Sequence, residues 1–138
     1  SSWGLLLNDL YAKRGSAYLK LGNFKRGLRD LQRLDKVDRW QLLSSQRGEK
    51  EYADVKTLEF APDGVVNIWL KFATDVEGHK VQSYSIDCAN KRLKLNSSVA
   101  YDKKGDVQDR TQSGGTWQPV VPDSSGERWY DGMCRSGT

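Results

Sequence analysis

The sequence has one histidine, one methionine, three prolines and two cysteines in 138 residues. A lone histidine, His79, and a lone cysteine pair, Cys88 and Cys134, match no zinc-type spacing, so no metal or cofactor is expected. No glycine-rich phosphate loop, paired-histidine motif or nucleophile elbow occurs, and Gly114-Gly115 reads as a flexible connection. Apolar runs stop at three residues, as in Leu5 to Leu7. That is far short of the roughly 20 that span a bilayer, so neither a transmembrane helix nor a signal-peptide core is written in these residues. The first residue is Ser1, not Met, as expected of a cleaved mature form or a piece of a longer protein.

Enough apolar material remains to build a core. Leu, Ile, Val and Phe account for 30 residues and the net charge is only +4, which excludes global disorder. The length fits one domain, or one domain with a small appendage. The basic pI of about 9.1 belongs to one end of the chain. Ser1 to Val37 hold eight Lys or Arg against three Asp, whereas the remainder is nearly balanced.

The apolar period changes at the same place. Leu10, Tyr11, Arg14, Tyr18 and Leu21 recur at helical spacing, Gly22 and Asn23 interrupt, and Phe24, Leu28, Leu31 and Leu34 resume. Two short antiparallel helices joined by a tight turn follow from this pattern. Beyond Arg39 the period becomes two. Val66, Ile68, Leu70 and Phe72 alternate with Asn67, Trp69 and Lys71, as in a half-buried strand. Turn signals at Pro62-Asp63-Gly64, Glu77-Gly78, Ala89-Asn90 and Lys104-Gly105-Asp106 divide the region into six strands, at 40–46, 50–60, 64–74, 80–88, 91–101 and 106–111. Short connections make a meander of antiparallel neighbours the expected topology. The two prolines of Trp117 to Pro122 exclude a central strand there. Ser124 with Glu127 three residues on forms a capping-box pattern ahead of Trp129, Tyr130 and Met133, which places a short helix running through Cys134. The expected fold class is α+β.

Two resemblances bear on this architecture. Gly15, Tyr18, Gly22 and Phe24 stand where a tetratricopeptide repeat places its turn and packing residues, so residues 1–39 resemble one such repeat. Tyr11, Arg14, Gly27, Leu31 and Arg39 depart from its pattern. One repeat cannot bury its own apolar face, so the hairpin is expected to dock on the sheet or on further repeats.

The second resemblance rests on four ordered segments: Gly64-Val-Val-Asn-Ile-Trp-Leu-Lys71, Ser85-Ile-Asp-Cys-Ala-Asn-Lys-Arg-Leu-Lys-Leu95, Tyr101-Asp-Lys-Lys-Gly105, and Trp117-Gln-Pro-Val-Val-Pro-Asp-Ser-Ser-Gly126 leading to Cys134. Through them residues 40–134, within an expected domain of 40–138, resemble the exported bacterial domain family of surface-adhesin protein E. The resemblance implies a twisted antiparallel sheet and a C-terminal helix tied to it by a disulfide. On residue count alone, Cys88 and Cys134 form a bridge in an oxidising compartment or stay as two thiols in cytosol. The resemblance implies the bridge, and with it a periplasmic or cell-surface location. In its named member the family also implies adhesion to host extracellular-matrix proteins, but no binding motif here matches residue by residue.

Two candidate binding features remain. Trp69 sits on the polar side of its strand, where the hairpin is expected to cover it; otherwise it is an exposed anchor for a protein or glycan. Lys25, Arg26, Arg29, Arg33 and Lys36 fall on one side of the second helix, either as a solvated face or as a footprint for an anionic partner, with nucleic acid the least favoured. His79 lies in an expected turn with no base or nucleophile at a suggestive spacing. The sequence therefore reads as a noncatalytic, exported bacterial binding module for a protein or an envelope or matrix polymer. A structural accessory domain of a larger envelope assembly, and a small hydrolase with an unrecognised site, are the alternatives. The oligomeric state is left open.

Overall fold

The computed structural model of the chain describes residues 2–74, 77–112 and 115–135. Helices α1 (Ser2–Lys20) and α2 (Phe24–Gln32) form the N-terminal hairpin. Gly22 turns the chain with a φ of 82°, and the Asn23 side chain caps α2 by accepting from the Arg26 backbone N–H. The helices cross where Gly15 meets Gly27: a Cβ on Gly27 would lie 2.8 Å from the Gly15 carbonyl oxygen. Arg14 locks the crossing by donating from Nε and a terminal nitrogen to the buried Asp30 carboxylate at 2.8 and 2.9 Å. The same contact raises the Arg14 pKa further above its already high ordinary value.

The hairpin differs from the sequence expectation at both ends. Helix α1 reaches back to Ser2, so at about 1.5 Å per residue it is twice as long as α2. Trp3, Leu5 and Leu6 on its first turns are 75, 73 and 62% exposed. Helix α2 stops at Gln32, whose side chain donates to the carbonyls of Val55 and Leu58 and pins the helix end to the turn between two strands. Arg33 is then the C-cap and Lys36 lies beyond the helix, so the five cations do not share one helical face as expected.

The sheet comprises β1 (Trp40–Gln46), β2 (Glu49–Asp54), β3 (Glu59–Phe60), β4 (Val65–Thr74), β5 (His79–Asp87), β6 (Arg92–Tyr101), β7 (Val107–Gln112) and β8 (Gln118–Pro119). Its order is β1-β2-β4-β5-β6-β7, all antiparallel, with β3 beside β4 and β8 beside β6. The expected strand over 50–60 is thus two strands. Asp54 breaks it by accepting from the Lys56 backbone N–H and the Thr57 hydroxyl, a local turn that competes with the ladder. His79, expected in a turn, is the first residue of β5 and stacks on Tyr101 with ring centroids 4.6 Å apart.

Ser124 caps α3 (Ser125–Tyr130) as its sequence pattern predicts, accepting from the Glu127 backbone N–H while Glu127 accepts from that of Asp123. A wider π-helical turn, Asp131–Arg135, follows and carries Cys134 to its disulfide with Cys88. Phe24, Leu28 and Leu31 of α2 and Trp129, Tyr130 and Met133 of the C-terminal segment share one buried cluster with Ala53, Val66, Ile68, Leu70 and Ile86 of the sheet. The hairpin therefore docks on the sheet. It also meets the C-terminal turn closely at Gly132, where a Cβ would fall 2.2 Å from the Phe24 ring.

Candidate functional site

Side chains alternate across a strand, so burial of Val66, Ile68, Leu70 and Phe72 against the helices directs Asn67, Trp69 and Lys71 to the opposite face. The α2 cations confirm the side on which the hairpin lies: Arg29 and Lys25 stand 4.7 and 6.0 Å from the ring of Phe60, whose partner in β4 is Val66. The expectation that the hairpin covers Trp69 fails for this reason. Both α2 and α3 pack on one face, and Trp69 stands half-buried on the other.

Strand register assembles the neighbours of Trp69. Lys71 lies opposite Tyr52 of β2, and Trp40 of β1 lies opposite Asp54. The Lys71 ammonium sits 4.9 Å from the Tyr52 ring and 5.0 Å from the Trp40 ring. Toward β6, Ser85 Oγ donates to Asn67 Oδ1 at 2.7 Å, Asn96 Nδ2 donates to Ser85 Oγ at 2.9 Å, and Asn67 Nδ2 donates to Glu59 at 2.9 Å. These bonds fix the amide orientations and keep the middle of the face polar. Lys94, opposite Ser85, approaches the Trp117 ring to 4.7 Å, with Arg92 at 4.8 Å. Arg92 also donates to Asp87 at 2.8 Å. Hydrogen bonds from Asn90 and then from Arg92 hold the Asp87 carboxyl at a pKa of about 2.

Besides Lys50 and Arg110 at its far corners, this face carries four cations of two kinds. Arg39 and Arg92 pair with the buried carboxylates of Asp54 and Asp87. Lys71 and Lys94 meet aromatic rings and, among the described residues, no carboxylate within ion-pair distance.

On the helix-bearing face a cleft of about 530 Å³ opens beyond α3, lined among others by Glu49, Glu51, Phe72, Lys80, Gln82 and Trp129. Its deepest carboxylate is committed to structure: Glu51 accepts from Arg128 at 2.7 and 3.1 Å and from the Trp129 indole N–H at 2.9 Å. Burial pushes the Tyr84 phenol up, and its hydroxyl donates to Gln82. Among the described residues no group of three potential metal ligands comes together, and no helix is long and apolar enough to cross a membrane.

The basic residues are scattered by comparison. Lys25 and Arg29 lie over Phe60, Arg26 lies over Tyr18, Arg33 lies over Tyr11 and 3.6 Å from Asp30, and Lys36 borders a shallow hollow beside Val55. Sequence reasoning found Trp69 but missed Trp40, Tyr52, Lys71, Lys94 and Trp117. The strand period offered Lys71 and Lys94 as outward residues, yet only the register brings each to its ring.

A six-strand antiparallel meander, extended at its margins by two short strands, with helices on one face and a disulfide to the last helical turn is a two-layer α+β domain with one face of the sheet left uncovered. The chain belongs to the surface-adhesin protein E family, whose model matches residues 40–135. Two solved structures of Haemophilus influenzae protein E are similar in fold. Crystal form II shares 13% identity at a TM-score of 0.52, covering 73% of this chain and 91% of that one; a second structure shares 15% at 0.51, covering 73% and 87%. No curated protein matches the sequence. The chain is thus a surface adhesin-like module, and its disulfide fits an extracytoplasmic location.

Proposed function

We propose that the protein is a noncatalytic binding module, exported to the periplasm or cell surface, that engages a protein or an envelope or matrix polymer through the uncovered sheet face around Trp69. The observation that carries this reading is the one-sided packing of α2 and α3, which leaves Trp40, Tyr52, Trp69 and Trp117 on the far side of the sheet with Lys71 and Lys94 against their rings. Aromatic residues that are half-exposed and accompanied by polar groups are the usual energetic centre of a recognition surface. Membership of an adhesin family supports a non-enzymatic role.

The test is capture from envelope and matrix extracts with the oxidised protein. Trp69→Ala removes the partner if the sheet face binds it. Loss instead with Arg29→Ala/Arg33→Ala, with steep salt sensitivity, transfers the site to the basic residues Lys25, Arg26, Arg29, Arg33 and Lys36. A second reading, an accessory domain in a larger assembly of tetratricopeptide-like repeats, is favoured by the exposed Trp3, Leu5 and Leu6 on α1. It predicts further helical pairs encoded upstream in the full reading frame.

A further inference from the structure

We infer that the uncovered sheet face takes an anionic polysaccharide, laid obliquely from the Lys71 cluster past Trp69 to the Lys94 cluster. This rests on the reading of that face as the binding surface and adds the chemistry of its ligand. Three observations carry it. The first is charge: Arg39 and Arg92 are neutralised by buried aspartates, whereas Lys71 and Lys94, and Arg110 of β7 on the same face, keep their charge for an outside partner. Each is positioned against rings, so little side-chain freedom is lost when it meets a sulfate or carboxylate.

The second is spacing. Lys71 and Lys94 are two strands and four residues apart in register, through Asn67 and Ser85. At strand spacings of about 4.8 Å and rises of about 3.3 Å, that places them about 16 Å apart across the sheet. The interval is that of charges on non-adjacent sugars of a chain, and too long for the two anionic groups of one small ligand. The third is what lies between. Trp69 offers a flat apolar surface on which the C–H face of a pyranose can rest, and the Ser85 and Asn96 side chains offer hydroxyl and amide groups to sugar hydroxyls, while Asn67 is held by Glu59 at the β3 margin of the path. Acidic protein would use the lysines but not this mixture of ring and hydroxyl-matching groups.

Titration of the oxidised protein with a fluorescent heparin oligosaccharide tests the inference, with neutral dextran, polyglutamate and single-stranded DNA as competitors. Heparin is expected to bind more weakly as salt rises, and Lys71→Gln and Lys94→Gln each to weaken it about tenfold, the loss of one charge-assisted contact. Trp69→Ala is expected to do the same, Lys25→Gln/Arg29→Gln on the opposite face to do nothing, and backbone amide shifts on titration to centre on β4, β5 and β6. Circular dichroism of each variant checks that it remains folded. No binding of heparin, equal binding of polyglutamate or DNA, or loss confined to the Lys25/Arg29 variant overturns the inference. If heparin fails while Trp69→Ala still abolishes capture of a protein partner, the anionic-glycan ligand is refuted and the sheet-face reading stands. If Trp69→Ala leaves every interaction intact, both fall.

Discussion

Removing the covalent link between the last helical turn and the sheet is the perturbation whose size the structure fixes best. Cys88 and Cys134 close a loop with a sequence separation of 46. In the chain-entropy description, opening such a loop frees the denatured chain by about 4 kcal/mol at 25 °C. With an unfolding entropy of about 0.3 kcal/mol/K for a chain of this length, Cys88→Ala/Cys134→Ala is expected to lower the melting temperature by about 14 °C. The folded state itself should survive. Trp129 and Met133 are 6 and 1% exposed in the common core, and the Tyr130 hydroxyl still donates to the Cys88 carbonyl. Thermal melts followed by far-ultraviolet circular dichroism, on the oxidised wild type and the double variant, give the shift directly. Matching room-temperature spectra with a fall of less than about 4 °C would refute the argument, because the link would then constrain little of the unfolded chain. Either single variant should match the double, since one cysteine alone closes nothing.

Gly132→Ala drives a methyl group into the Phe24 ring and toward the Gly22 carbonyl, so it should cost about 2–3 kcal/mol in urea unfolding, whereas Gly105→Ala, with open space around its Cβ position, should cost less despite its positive φ. Glu51→Ala strands the Arg128 guanidinium and the Trp129 indole N–H, an expected loss of about 2–3 kcal/mol by the same assay, with Glu51→Gln intermediate. Asp87 has a folded pKa of about 2, below its unfolded value, so its stabilisation is complete above the ordinary aspartate range and is lost as the pH falls from about 4 toward 2. Asp87→Asn should be less stable than wild type at neutral pH and should flatten that acid limb of the melting-temperature curve.

The regular parts of this fold were legible because their residues answer to a single local rule. In β4 the alternation of Val66, Ile68, Leu70 and Phe72 with polar partners reflects one buried face, and β1 runs over Trp40–Gln46 as its pattern predicts. The break at Asp54 was not legible, because a strand-compatible residue there spends its carboxylate on the turn that follows. The length of α1 was hidden for the opposite reason. Its first turns carry apolar side chains with no helical stripe facing a core, so period analysis starts only where α2 begins to pack against it. Trp69 could be recognised as out of place, but the side on which the hairpin lies depends on contacts such as Gly132 with Phe24 that join residues more than a hundred positions apart. The lysine–ring pairs depend on register in the same way: nothing local to Lys71 announces Tyr52 or Trp40.

The route of the chain through its one covalent crosslink also decides how the domain carries a mechanical load. Cys88 directly follows β5, an interior strand flanked by β4 and β6. A pull applied to the chain after Cys134 therefore passes through the sulfur bridge straight into that strand. Everything from β6 to α3 lies within the closed loop and is bypassed by the tension. The half of the uncovered face built from Lys94 and Trp117 sits inside this shielded loop, whereas the half built from Trp40, Tyr52 and Lys71 lies on the loaded side. Under force, the strands carrying the first cluster separate only after backbone pairing across β2, β4 and β5 gives way, while the chain between Cys88 and Cys134 bears no tension for as long as the bridge holds.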